Sequence, residues 1–369
     1  MSQRENYTRI LKKEKGEFLP FVPNFDHWYN INQTQGTLPE KYQGLSRNDI
    51  VRKVQGTIWA RTRCLDVEID STVEIIRQEK NGTITTDYHT PVGSVQTVHR
   101  RATDFTQAVF LKSHWVKTVN DIRVVRWIVE HTHFTLNVQP FLESERAVGD
   151  DGLSLVGLPY CLPYIHFGKN ECGWEHGIYL FTDYRPKVEE LLELYTVKVE
   201  EAARLLAQGP ALVIASGDNM DEWTTPPNIF RQYAIPYYQR IAAILHSGGK
   251  VFQVHWCGRT SHLLEFVPEC DIDVVEAIAV KPMAELTVPE AMAKVGEKVV
   301  IQGGLPSILF CPQGGTREDF RLYVKALLEK VPHGYRFALG MSDNVPPDAD
   351  FSRVEMVGEL VASFGSTEK

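Results

Sequence analysis

Residues 250–258 read Lys250-Val251-Phe252-Gln253-Val254-His255-Trp256-Cys257-Gly258, and the rest of the chain is organised around them. The run is apolar and β-branched and follows the turn Ser247-Gly248-Gly249, which predicts a short buried strand. At its C-terminal end stand an imidazole and a thiol with one residue between them. Residues i and i+2 of a strand point the same way, so His255 and Cys257 can face one object together. Nitrogen plus thiolate is a donor pair that suits zinc, although a zinc site ordinarily has at least three protein ligands.

Working outward, the second half of the chain has a regular rhythm. Strands are expected at 153–160, 211–216, 250–256, 273–280, 298–302 and 335–340. Helices follow them at 185–208, 227–247, 261–269, 287–295, 316–331 and 351–364. Pro226-Pro227 suits a helix start, and Thr316 with Asp319 three residues on reads as a near capping box. Alternation of this kind predicts a parallel sheet with helices outside. A strand at 18–23 and another near 134–138 bring the count to eight. The expected fold is a (β/α)8 TIM barrel formed by a single domain over 1–369, with a doubly wound sheet as the alternative.

The first half departs from that rhythm. Residues 2–15 read as a short amphipathic helix capped by Ser2, with Tyr7, Ile10 and Leu11 on one side. Between 65 and 100, β-rich runs flank Asn81-Gly82, a strong hairpin signal, so an antiparallel β excursion is expected there. It is a candidate cap for the barrel or contact of a homodimer. Helix is expected again at 121–131.

Composition narrows the function. The 369 residues are 43% hydrophobic and 10% aromatic, ample for a large core, and the net charge is −8 without a basic stripe, which argues against nucleic-acid binding. Residues 1–20 lack an apolar signal core and no run of about eighteen apolar residues occurs, so no membrane role and a cytoplasmic location are expected. Six scattered cysteines form no disulfide framework.

In a TIM barrel the chemistry sits at the C-terminal ends of the strands. Those ends supply Asp26, His27 and Trp28; Asp218 and Asn219; His255 and Cys257; Glu276; Gln302; and Asp343. Glu276 lies inside the apolar run Val274-Val275-Glu276-Ala277-Ile278, where a carboxylate is costly unless paired or ligating. Cys311 is a candidate third zinc ligand if its segment folds back over the mouth, and Asp218, Glu276 and Asp343 are oxygen-donor alternatives. Neither a phosphate-cradling glycine loop nor a Gly-x-Ser-x-Gly elbow is present.

Several segments together resemble the uroporphyrinogen decarboxylase superfamily: Gly217-Asp218-Asn219, Pro226-Pro227-x-x-Phe230, Pro236-Tyr237-Tyr238, Gly248-Gly249-Lys250, His255-x-Cys257-Gly258 and Asp271-Ile272-Asp273. Pro20-Phe21-Val22-Pro23 and Thr90-Pro91-Val92-Gly93 fit as well, so the resemblance spans essentially the whole chain. It implies a (β/α)8 barrel. Genuine decarboxylases of this superfamily carry Arg-Gln-Ala-Gly-Arg after the first strand, whereas this chain has Asn24-Phe25-Asp26-His27-Trp28-Tyr29 without an arginine. The chain is more similar to the branch of zinc-dependent methyltransferases that exchange methyl groups with a corrinoid protein, whose signature is His-x-Cys plus a distant Cys. In the coenzyme M-type members that Cys ends the last strand, where this chain has about Met341.

The resemblance implies zinc held by His255, Cys257 and a third ligand, methylcobalamin carried on a separate corrinoid protein, and a small methyl donor or thiol acceptor. Asp218 and Glu276 are the expected catalytic residues. Asp26, His27, Trp28, Asn219, Gln302 and Asp343 are the expected substrate-binding residues. The alternatives are a decarboxylase of the uroporphyrinogen type in porphyrin biosynthesis and a non-catalytic ligand-binding barrel.

Overall fold

A computed structural model describes residues 1–103 and 108–364. The chain separates into two compact units, one comprising Met1–Cys64, Val138–Gly157 and the chain from Pro210 onward, the other Leu65–Asn137 and Leu158–Gly209.

The first unit is built on eight parallel strands: β1 (Phe21–Val22), β2 (Ile58–Thr62), β3 (Gly152–Gly157), β4 (Val213–Ser216), β5 (Val251–His255), β6 (Val274–Ile278), β7 (Val300–Pro306) and β8 (Phe337–Ser342). Each pairs with the next in sequence from β2 to β8, and β8 pairs back onto β1. The remaining seam between β1 and β2 carries a backbone hydrogen bond from Thr57 N to Phe21 O, 2.6 Å. The result is a nearly closed α/β barrel of the TIM type.

Seven of the eight strands expected in the barrel are found there, and two expectations are corrected. The stretch near 134–138 is not a barrel strand: Thr132–Leu136 pairs antiparallel with Leu65–Ile69 in the second unit. Ile58–Thr62 takes the barrel position instead. The segment expected as helix at 261–269 is reduced to a 3₁₀ stretch, Leu264–Glu269, which contains Pro268. Helices Val288–Val295 and Arg317–Leu328 begin with capping boxes, Thr287 with Glu290 and Thr316 with Asp319. In each, the hydroxyl accepts from a first-turn N–H while the carboxylate accepts from the cap N–H.

The barrel interior is divided along its axis. At the strand starts Val22, Trp59, Leu153, Leu155, Val213, Val251, Val274, Val300 and Ala338 form one apolar cluster. Tyr7, Ile10 and Leu11 of the N-terminal helix Gln3–Leu11 pack into it, so the amphipathic stripe read from sequence plugs this end of the barrel. Ser2 caps that helix, its hydroxyl accepting from Glu5 N at 3.1 Å. Farther along the same inward faces, two residues beyond Val274 and Val300 and four beyond Val251, the side chains become Glu276, Gln302 and His255. Because alternate strand residues share a face, the pattern places polar groups above an apolar floor.

The second unit contains the β excursion, a four-stranded antiparallel sheet of Glu74–Lys80, Thr83–Thr90, Gly93–Arg101 and Val109–Ser113. Lys80 pairs with Thr83 across Asn81-Gly82, the hairpin expected from that dipeptide. The unit extends beyond residues 65–100 and also holds the helices Val119–Glu130 and Arg185–Gln208. Among the described residues no helix is long and apolar enough to cross a membrane.

Candidate active site

His255, Glu276 and Gln302 occupy one register row across three adjacent barrel strands, His255 paired with Glu276 and Glu276 with Gln302. Neighbouring strands lie about 4.8 Å apart, so side chains of one row on one face meet directly. Glu276 Oε2 is 2.5 Å from His255 Nδ1, while Nε2 of the same ring is 3.8 Å from Asp343 Oδ1, just past the end of β8. Cys257 lies within hydrogen-bonding reach of the imidazole. Trp256, between them, faces away, packing edge-on against Phe230 and donating its indole N–H to the Tyr238 hydroxyl.

Burial works against a charged imidazole here. The Glu276 carboxylate and the hydrogen bonds with Cys257 and Glu276 outweigh it, raising the His255 pKa to about 10. Beneath, Tyr7 donates its hydroxyl to Gln302 Oε1. Burial, reinforced by the charge of Glu276, pushes the Tyr7 pKa well up, so this phenol stays protonated.

The backbone around the site is unusual in three places. Ala277 has φ +67° at a register shift between Glu276 and Ile278, a bulge that breaks the ladder immediately after the carboxylate. Asn219 and Asp343 have φ +52° and +105°. Such conformations cost non-glycine residues free energy and cluster at functional sites. Gly258 is required for a different reason. A Cβ there would lie 2.5 Å from Met220 O and 2.7 Å from Asp221 Cβ, so glycine alone lets the chain leaving Cys257 pass the β4 loop.

The other expected site residues are placed as follows. Asp218 is fully buried, accepting from the hydroxyls of Ser216 at 2.6 Å and Tyr238 at 2.8 Å, so both of its oxygens are engaged by protein. Asn219 is exposed, its N–H bonded to His255 O at 3.0 Å. Asp26 is held by Arg47 at 2.6 Å. His27 is exposed, with its backbone N–H on Asn344 Oδ1. Trp28 stacks on Phe351 with centroids 3.8 Å apart and belongs to an aromatic cluster with Phe25 and Tyr42. Cys311 turns its thiol toward Asp348 Oδ1 at 3.8 Å, and no contact between it and His255 or Cys257 is seen among the described residues. Sequence reasoning missed Tyr7, read only as a packing residue, and Tyr238, whose hydroxyl links Asp218 to Trp256.

The donor set bears on the zinc expected from sequence. Among the described residues no three His, Cys, Asp or Glu side chains are already arranged as a metal-holding group. The chemistry of the row nevertheless fits. A metal-binding histidine typically gives its second ring nitrogen to a carboxylate, and Glu276 occupies Nδ1 in that manner, leaving Nε2 toward Asp343 with the Cys257 thiol alongside.

No curated protein matches the chain in sequence. In structure it is similar to a methyltransferase from Methanosarcina mazei, at 16% identity and a TM-score of 0.59, with 100% of both chains covered. A D-psicose 3-epimerase from Clostridium cellulolyticum H10 is 10% identical with a TM-score of 0.36, covering 62% of this chain and 83% of the other. The family model described as uroporphyrinogen decarboxylase (URO-D) matches residues 155–364, more than half of the chain, from the second half of β3 through β8. The chain is a member of the uroporphyrinogen decarboxylase family.

Proposed function

We propose that the protein is a methyltransferase that exchanges a methyl group between a small substrate or thiol and a corrinoid protein, with zinc held by His255, Cys257 and Asp343. The observation that carries this reading is the buried Glu276 carboxylate on His255 Nδ1, which orients the ring with Nε2 toward Asp343 and beside Cys257. The full-length structural likeness to a methyltransferase supports the same reading.

Zinc, when bound, supplies Lewis acidity that makes a thiol acidic enough to be a thiolate at neutral pH or polarises a methyl donor. The chain's own residues do the rest. Glu276 fixes the tautomer and tilt of His255. Tyr7, kept protonated by burial, holds Gln302 in place beneath the row. Asp218, with both oxygens occupied by Ser216 and Tyr238, anchors the β4 loop, whose Asn219 N–H bonds to His255 O, and so positions the strand end.

A decarboxylase acting on a polyacidic substrate needs free cations at the mouth. The two obvious candidates are already engaged: Arg259 pairs with Asp221 at 3.2 Å and lies 3.8 Å over the Trp223 ring, and Lys281 is 3.9 Å from Glu290. Asp343, about half exposed at the end of β8, would also repel such a substrate.

The test is elemental analysis of protein purified without chelator, paired with methyl-transfer assays using a methylated corrinoid protein and small thiols. About one zinc per chain, lost in His255→Ala and Cys257→Ala together with methyl transfer, is expected. Zinc-free protein that turns over uroporphyrinogen would overturn the reading.

A further inference from the structure

The four-stranded sheet of the second unit runs in the order Glu74–Lys80, Thr83–Thr90, Gly93–Arg101, Val109–Ser113, so its first and last strands are edges. All of Glu74–Lys80 is exposed, Ile75 and Ile76 at 45% and 38%. Its pairing with Thr83–Thr90 runs unbroken from Glu74 opposite His89 to Lys80 opposite Thr83, and the strand holds no proline. An edge left open in this way presents a row of unpaired N–H and C=O groups, which proteins ordinarily blunt by shortness, proline, a bulge, a covering element or charge. The other edge is blunted twice: Val109–Ser113 has five residues, and its ladder shifts register between Val98 and His99. Charge is the one protective device on Glu74–Lys80, and its charges are ordered to fit a copy of themselves.

The hairpin fixes which backbone groups face the open edge. Asn81 and Gly82 have φ +51° and +71°, a two-residue type I′ turn, which makes Lys80 and Thr83 a hydrogen-bonded pair. Alternation then turns the N–H and C=O groups of Glu74, Ile76, Gln78 and Lys80 toward Thr83–Thr90, and those of Ile75, Arg77 and Glu79 outward. Two copies meeting antiparallel about Arg77 oppose Arg77 to itself and Ile75 to Glu79, so the outward groups of all three residues find partners. This register overlaps the whole strand and sets Glu74 opposite Lys80 at both ends. Glu79 reaches Arg101 at 3.4 Å, whereas no ion pair is seen for Glu74, Arg77 or Lys80 among the described residues. The two opposed arginines each lie diagonal to Glu79 of the other copy on the same face, within reach of long side chains. Centring on Gln78 would pair Arg77 with Glu79 but would leave Glu74 and Ile75 opposite the turn, and centring on Glu79 would oppose two glutamates.

We propose that Glu74–Lys80 is a homodimer contact, at which two copies of this chain join edge to edge and antiparallel into one continuous sheet. The same edge serves both copies, so association closes at two, whereas pairing it with Val109–Ser113 would propagate as a filament. Strand pairing alone covers less than the roughly 1,600 Å² of a standard interface, so the dimer is reversible and concentration-dependent. This inference does not rest on the methyltransferase reading.

Sedimentation velocity of the full chain over a concentration series tests it. The wild type should pass from monomer to dimer as concentration rises, and to nothing larger. Arg77→Pro removes an N–H that faces the open edge and spares the ladder to Thr83–Thr90, a position at which an edge strand tolerates proline. It should stay monomeric throughout while keeping the wild-type circular dichroism. Arg77→Cys places two thiols across the two-fold axis with Cα atoms about 5.5 Å apart, within disulfide reach. It should give a covalent dimer under mild oxidation, and Gln78→Cys, which meets Ile76 of the other copy, should give several-fold less. A wild type still monomeric at its highest soluble concentration overturns the proposal. So does a folded Arg77→Pro chain that dimerises as the wild type does, or a Gln78→Cys chain that links as readily as Arg77→Cys.

Discussion

Glu276 and His255 stand side by side on neighbouring barrel strands, in register, with carboxylate oxygen and Nδ1 2.5 Å apart. The carboxylate is almost wholly buried, so its contact with His255 is what makes its burial tolerable. Glu276→Gln keeps the shape and removes the charge. Expected is a loss of zinc affinity of about 10- to 100-fold with the fold retained, as for other carboxylates that support a metal-binding histidine. Competition against a chromogenic chelator measures this directly. Undiminished affinity would mean that Glu276 does not orient the ring.

Two candidates for the third ligand of the proposed zinc are separated by geometry. Asp343 Oδ1 is 3.8 Å from His255 Nε2, whereas the Cys311 thiol is engaged with Asp348 and raised in pKa by burial and by that carboxylate. Cys311→Ser should leave the zinc content at about one per chain, and Asp343→Asn should lower it. Loss of zinc in Cys311→Ser with full occupancy in Asp343→Asn would reverse the assignment.

Why some of this was legible in sequence and some not follows from the range of the interactions. From residue 153 onward the strands and all their helices but the one at 261–269 are local patterns, with caps such as Thr316/Asp319, and these need no knowledge of partners. Strand choice in the first half does. Ile58–Thr62 is short and mixed, with Arg61 stacked on Trp59, and it looks no more like a strand than Thr132–Leu136. Which of them joins the barrel is decided by pairing with Gly152–Gly157, almost a hundred residues away from the first and invisible to periodicity. In the site, the His255/Cys257 spacing and the misfit carboxylate Glu276 are local anomalies and could be read. Tyr7 could not, because its apolar helix face announces packing and nothing nearby points to Gln302.

The ionic contacts at the opposite end of β5 and β6 set a pH dependence of stability. Asp273 accepts from His246 at 2.8 Å, Lys13 at 2.6 Å and Phe252 N at 2.8 Å. Burial opposes its ionisation, yet the hydrogen bonds from His246 and Lys13 win and hold its carboxyl below the usual range. His246 is raised, chiefly by its hydrogen bond to Asp273. The Asp273 contribution is present above its unfolded pKa and fades as pH falls through the lowered folded value. The His246 contribution is complete below its unfolded pKa and fades as pH rises through the raised folded value. With unfolded values of about 3.9 and 6.5, the triad stabilises most between them. Denaturant midpoints should therefore fall on both sides of that window in the wild type. His246→Gln should flatten the alkaline side and also weaken the acid side in part, because His246 helps to hold Asp273 down; Asp273→Asn should cost about 3 kcal/mol, the lower end for a broken buried pair since Lys13 is partly exposed. An alkaline limb unchanged in His246→Gln would show that its charge contributes nothing.

Trp28 distinguishes packing from substrate contact at the β1 end. It is 3% exposed, stacked on Phe351 and edge-on to Phe25 and Tyr42, so its ring joins the helix Asp26–Gln35 to the start of helix Ser352–Phe364. Removing a ring of this size from a closed cluster costs about 3–5 kcal/mol, through lost burial and the cavity left behind. Trp28→Ala should show that loss in urea unfolding, while Trp28→Phe, which retains a ring against Phe351, should recover most of it. In the folded fraction of either variant the KM of the methyl-accepting substrate should be unchanged, because the indole is enclosed by other aromatic rings. A raised KM in Trp28→Phe at near wild-type stability would instead place Trp28 against the substrate.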